Sequence, residues 1–220
     1  MNARAAGEAP HAGRRGSGRP GARLRRARRG FTLIELMAVM AIIGILAAVA
    51  SPTFIQLVRD QRVSRCAMEI ADLYRLARSR ALGRGSAVLV RWTAGGGVSG
   101  KGLVEIREAI TPGALVPTPS TSCSTTDWTD ASLVSRHVYN FDPGNGAYEL
   151  AQINFFDELG GAEPVSEMCF TPRGRTFIRY NIGAPFVQLA GVPSYTVVNT
   201  STNRVRTVFV PPNGVARVAL

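Results

Sequence analysis

Cysteine and histidine are scarce in this chain, three and two among 220 residues. Disulfide-built scaffolds and clustered metal folds need more of them at tighter spacing, so both classes are excluded; three cysteines allow one bridge and one remaining thiol. Charged residues make up only 19% and aromatics 7%. A hydrophobic content of 45% and a mean hydropathy of +0.06 still supply a core for one or two ordinary domains. They exclude a disordered, collagenous or many-span chain. No internal repeat is present.

Acidic residues are almost missing from residues 1–30, which hold nine arginines against Glu8 and so carry +8. The remainder holds 17 basic and 14 acidic groups, or +3, although the whole chain reaches +11 and a pI of 10.9. The basic character therefore belongs to a tail, which weakens the case for a nucleic-acid-binding domain. Rich in Gly, Ala, Arg and Pro, that tail buries too little surface to fold and reads as a solvated leader.

From Phe31 to Ala50 basic residues are absent and Glu35 is the one acid in FTLIELMAVMAIIGILAAVA. Twenty helical residues span about 30 Å, the thickness of a bilayer's hydrocarbon core, so one membrane crossing is predicted. Arg23, Arg25, Arg26, Arg28 and Arg29 precede it and orient the N-terminus to the cytoplasm, with the bulk of the chain outside. Glu35 does not suit a simple anchor. A carboxylate in hydrocarbon costs roughly 3 kcal/mol on insertion scales, so it requires a partner; the plain alternative is a carboxylate at headgroup level with no role.

The helix is expected to continue. Pro52 marks a kink, and no Gly or Pro follows from Thr53 to Leu82. Val63, Cys66, Ala67, Ile70, Leu73, Tyr74, Ala77 and Ala81 recur at spacings of three and four. Arg59, Arg62, Arg65, Arg75, Arg78, Arg80 and Arg84 occupy the other faces and read as a solvated surface. A helix over 31–82 would be about 78 Å long, half in lipid and half packed on a globular domain.

After Gly83 the period changes to that of strands: around Val88, Val90 and Trp92, then 103–107, 133–141, 147–156, 168–171, 176–180, 195–199, 205–210 and 215–219. Turn signals separate them at Gly95–Gly97, Pro143–Gly146, Pro172–Gly174 and Pro211–Gly214. Tight turns provide no crossover helices, so the strands form an antiparallel sheet packed on the long helix, an α+β arrangement. Residues 108–132, rich in Pro, Ser and Thr, read as an irregular loop.

The basic stretch followed by Gly30, Phe31, Thr32, Leu33, Ile34, Glu35 and Leu36 resembles the class III signal sequence of type IV pilins and pseudopilins. The resemblance implies a bacterial inner-membrane protein with its N-terminus cytoplasmic and its head periplasmic. Prepilin peptidase would cut between Gly30 and Phe31 and methylate Phe31. Glu35 then becomes the fifth mature residue, paired with the Phe31 amine of a neighbouring subunit, and Pro52 falls at the family's kink position. A buried charge would find its counter-charge only on assembly. The implied organisation is a cleaved leader over 1–30, a transmembrane and assembly helix over 31–52, an amphipathic helix over 53–84 and an extracytoplasmic β-rich head over 85–220. Implied partners are other pilins or pseudopilins, the peptidase, the inner-membrane assembly platform and membrane lipid.

CFTPRGRTFIRY (Cys169 to Tyr180) and NRVRTVFVPPNGVARV (Asn203 to Val218) are similar to the C-terminal half of GspH/FimT-type pseudopilins, minor subunits of type II secretion pseudopili and type IV pili. Some FimT-like members bind DNA through a C-terminal arginine motif. Here the matching tail, Gly214 to Arg217, lacks its first arginine, leaving Arg204, Arg206 and Arg217 as a small basic patch, and DNA uptake is the lesser reading. The family's secretion-tip subunit usually lacks the fifth-position glutamate, so Glu35 argues against that role.

A rival reading takes Arg28 and Arg29 as an export signal and Ala48, Val49, Ala50 as a signal-peptidase site, releasing a soluble protein at Ser51. The apolar run is long for a signal core and contains Glu35, both against it. No catalytic site, cofactor or metal is expected. Gly95–Gly102 nearly matches a phosphate loop but has Gly102 where Ser or Thr belongs, and reads as a hairpin loop. His137 stands alone, and Asp157 and Glu158 fall in a turn. In an oxidising compartment Cys123 and Cys169 would tie the Ser/Thr/Pro loop to the sheet; Cys66 with either partner, or no bridge, are the alternatives.

Overall fold

The computed structural model describes residues 30–97, 100–111, 117–130, 133, 135–141, 148 and 150–219. The leader, the Pro143–Gly146 turn and part of the 108–132 loop lie outside these. Among the described residues one helix, α1 (Leu33–Arg84), precedes the strands. In chain order these are β1 (Val88–Thr93), β2 (Leu103–Glu108), β3 (Ile110–Thr111), β4 (Thr118–Pro119), β5 (Ser135–Asn140) and β6 (Ala151–Phe156). There follow β7 (Val165–Phe170), β8 (Thr176–Arg179), β9 (Val187–Gln188), β10 (Ser194–Asn199), β11 (Val205–Phe209) and β12 (Arg217–Ala219). The chain divides into two units, Met1–Leu46 and Ala47–Leu220, with the boundary inside α1 rather than at Pro52.

Every named strand pairing is antiparallel, as the tight turns require. The single sheet expected from the turns is instead two principal sheets, ordered β5-β2-β1-β7-β8-β9 and β12-β11-β10-β6, with β3-β4 a small separate pair. Ten twisted strands do not stay in one open sheet; division lets both apolar faces reach one helix.

The buried stripe on α1 comprises all eight residues picked out by spacing, together with Ala71. It meets Val88, Val90, Trp92, Ile106, Met168 and Ile178 from the first sheet and Phe155, Tyr195, Val197 and Val208 from the second. Tyr195 joins the three layers. Its hydroxyl lies 2.5 Å from that of Tyr74 on α1. Its ring packs edge-to-face on Trp92 at 5.6 Å and beside Phe155 at 4.8 Å. Burial raises the pKa of both hydroxyls, because either phenolate would be desolvated.

The outer face of the first sheet carries a second, smaller core. Leu89 and Cys169 are covered there by Cys123, Trp128 and Leu133. Much of what reads as an irregular loop is therefore anchored. Trp128 donates its indole N–H to the Cys123 carbonyl at 2.9 Å, and Arg107 donates to the Trp128 carbonyl at 2.9 Å.

Candidate functional site

Residues 30 to 57 are built on the opposite plan from the head. Gly30, Phe31 and Thr32 lead into α1, and the Thr32 hydroxyl accepts the Glu35 N–H at 3.3 Å. Thr32 is thus the N-cap and Glu35 the third helical residue, the spacing of a capping box. T-x-x-E before an apolar run is a helix-start signal that the sequence already carries at Thr32. The cap ends the helix just after the proposed cleavage point, leaving the Gly30–Phe31 bond outside the helical hydrogen-bond ladder. Glu35 lies in the first turn, where the helix dipole favours a negative charge.

Every residue of this segment is exposed. Phe31 is 80% exposed, and Leu33, Ile34, Met37, Ile42, Ile45 and Val49 are all exposed as well. A helix that is apolar on every face is stable only inside lipid or among other apolar helices. Its most apolar stretch has a mean hydropathy of 2.6 and is entirely unburied. Among the described residues Glu35 has no cationic side-chain partner. At Pro52 the helix runs on without interruption. Proline provides no N–H for the Ala48 carbonyl, and next to it Ser51 donates its hydroxyl to the Ala47 carbonyl at 2.7 Å.

Cys123 and Cys169 form a disulfide that closes the 120–130 loop onto β7, and Cys66 is a buried free thiol on α1 whose pKa is raised by burial. Arg204 and Arg206 turn toward α1, pairing with Asp60 at 3.1 Å and donating to Ser64 at 3.1 Å. Arg217 stands opposite Phe209 on the exposed face of β11-β12. Neighbouring positions along a strand alternate faces, so Arg206 and Arg217 point to opposite sides of the sheet and the three arginines do not converge.

The helix arginines are not merely solvated. Arg80 and Arg84 hold the fully buried Glu108 at 3.5 and 3.2 Å, and Arg75 donates to the Ala216 carbonyl at 3.0 Å. A second set, not legible in the sequence, runs across the outer face of the first sheet. Glu105, Arg91, Glu167 and Arg179 stand in directly opposed register on β2, β1, β7 and β8. Arg91 meets the fully buried Glu167 at 2.5 Å, Arg179 pairs with its other oxygen, and Arg107 reaches Glu105 at 2.8 Å. Alternating charges directly across strands fix register, and a slip by one residue would strand all of them.

The remaining chemical candidates have structural uses. Gly95–Gly102 joins β1 to antiparallel β2 with no helix following, and a side chain at Gly102 would strike Trp92. The Asp157 carboxylate accepts the N–H groups of Leu159 and Gly161 within its turn. His137 is exposed beside Tyr139. Among the described residues no group of three His, Cys, Asp or Glu is placed to hold a metal.

Residues 25–51 match the family model of the prokaryotic N-terminal methylation motif, which spans the last arginines, Gly30, Phe31, Glu35 and the apolar run to Ala50. Among curated proteins and solved structures, nothing matches the chain.

Proposed function

We infer that this chain, a type IV pilin-like protein by its N-terminal methylation motif and the long apolar helix that carries it, serves as a minor subunit of a type IV pilus or type II secretion pseudopilus. As a pilin-family protein it is processed by prepilin peptidase and assembles with other pilins. The bond cut is the one between Gly30 and Phe31, and Phe31 receives the methyl group. In the precursor the apolar helix lies in the inner membrane with the leader cytoplasmic and the head periplasmic. An assembly platform extracts it, and the helices pack into the apolar core of a filament with the heads outward.

The observation that carries this reading is a lone carboxylate, Glu35, in the first turn of a helix segment that is otherwise apolar on all sides and, among the described residues, left uncovered. Cleavage makes an α-amino group at Phe31, four residues away. When the helix leaves lipid for a bundle of its own kind, van der Waals packing replaces lipid contact with little net gain, so the Phe31 amine of one subunit meeting Glu35 of the next sets the register. The work is structural, and no catalytic step is assigned to it.

The GspH/FimT branch is part of the proposal. Its support is that the two resembling segments form the β7-β8 and β11-β12 hairpins on the two sheets. The processing step is checked by mass spectrometry of the native N-terminal peptide. The expected peptide begins at Phe31 and carries one extra methyl group; a native chain beginning at Ser51 would contradict it.

A further inference from the structure

The apolar character of α1 does not end at Ala50. Phe54, Ile55 and Leu57 are exposed, and from Phe31 to Val58 Glu35 is the one ionisable residue. Those 28 residues, as helix, span about 42 Å, which matches the full bilayer with both headgroup layers rather than the hydrocarbon core alone. Arg59, the first basic residue after Arg29, follows at once.

Arg59, Arg62 and Arg65 then recur every third residue, all exposed, over about 9 Å of helix rise. The β10-β11 turn packs against α1 at the same level. Asp60 accepts hydrogen bonds from Asn199 and Thr202, each at 2.8 Å, and pairs with Arg204 at 3.1 Å. Arg59 donates to the Ser201 hydroxyl at 3.4 Å, and Arg206 to Ser64. Among the described residues, five arginines and one carboxylate, Asp60, therefore gather around the part of α1 that borders the exposed Phe54, Ile55 and Leu57.

We propose that this basic collar binds the anionic phospholipid headgroups of the outer leaflet of the membrane that holds the precursor. Lipid then covers α1 up to Val58, and the β10-β11 turn rests on the bilayer surface. The inference depends on the pilin-like membrane reading and adds to it a lipid partner and a depth. Phosphate oxygens suit guanidinium forks, and the surrounding apolar side chains explain why the collar begins where it does. The same depth puts Glu35, 23 residues before Val58, about 35 Å away in the opposite headgroup layer, where its carboxylate stays hydrated. The need for a counter-charge then arises on extraction, which makes assembly rather than insertion the selective step.

The test uses the full chain in nanodiscs of phosphatidylcholine alone or with phosphatidylglycerol added, read by hydrogen exchange of residues 200–204. With phosphatidylglycerol those amides exchange at least about fivefold more slowly, the occupancy that one basic residue adds at an anionic surface. High salt removes the difference, as does the combined variant Arg59→Gln, Arg62→Gln, Arg65→Gln, while exchange in β1 reports that the head stays folded. Equal exchange of the wild-type chain in the two lipids would overturn the proposal whatever the variant does. A chain that enters neither kind of disc would instead overturn the membrane reading beneath it.

Discussion

Both halves of α1 are mostly apolar, and they use their apolar side chains in opposite ways. Residues 63–81 turn a stripe of small and medium side chains into one face of the head's core, leaving mostly charged and polar side chains for the rest. Residues 33–57 present Leu, Ile, Met and Phe on every side and bury none of them. The first pattern has a period and is satisfied within the chain. The second has none, and its interior must be supplied by lipid or by other subunits. One continuous helix thus carries a folding surface and an assembly surface, divided by where periodicity begins rather than by any break at Pro52.

The sharpest way to break that comparison is to damage the head alone. Glu167→Ala strips the buried carboxylate from Arg91 and Arg179, and should cost the head about 3–5 kcal/mol. Thermal melting in detergent would register this, while partitioning of the helix into membranes stays unchanged. Next, Ile70→Ala and Ile43→Ala place the same change in the two halves. The first removes a fully buried side chain and should destabilise the head by about 2–5 kcal/mol, whereas the second should leave head melting within about 0.5 kcal/mol of wild type. Equal effects would mean the halves are not independent.

Reduction of the Cys123–Cys169 bridge, which closes a span of 46 residues, should lower head stability by about 2–4 kcal/mol, seen as a lower melting temperature with reductant. The smallest effect concerns alkaline pH. Tyr139 and Tyr148 share the Glu69 carboxylate, and desolvation first, then those hydrogen bonds, raise their pKa values, that of Tyr148 to about 12. A phenol with its folded pKa raised adds stability that is complete below the unfolded value near 10 and is lost as pH climbs toward 12. Melting temperature should therefore fall over that window, less steeply in Tyr148→Phe. The apolar half of α1 offers no such group.

What the sequence made legible follows the same division. Local patterns were readable: the helix over 31–82 is observed over 33–84, and the strand segments appear within a few residues of where alternation and turn residues put them. The apolar run and Glu35 stood out because their chemistry is anomalous on its own. What stayed hidden depends on pairing between distant segments. Nothing local to Glu105, Arg91, Glu167 and Arg179 shows that register will align them, and nothing near Arg80 and Arg84 announces Glu108. The division into two sheets and the anchoring of the 120–130 loop by Trp128 belong to the same class. At the candidate site the one omission, the Thr32 cap, was local and available.

The role proposed for Glu35 lies in assembly, and neither in insertion nor in folding. Its most direct measurement compares Glu35→Ala with wild type for filament incorporation, with N-terminal mass taken on the same material. The account predicts a variant that enters the membrane, is cut to begin at Phe31, keeps a normal head, and is incorporated at least about 100-fold less, the scale of a buried charge left unpaired. Undiminished incorporation of a correctly processed Glu35→Ala chain would contradict it.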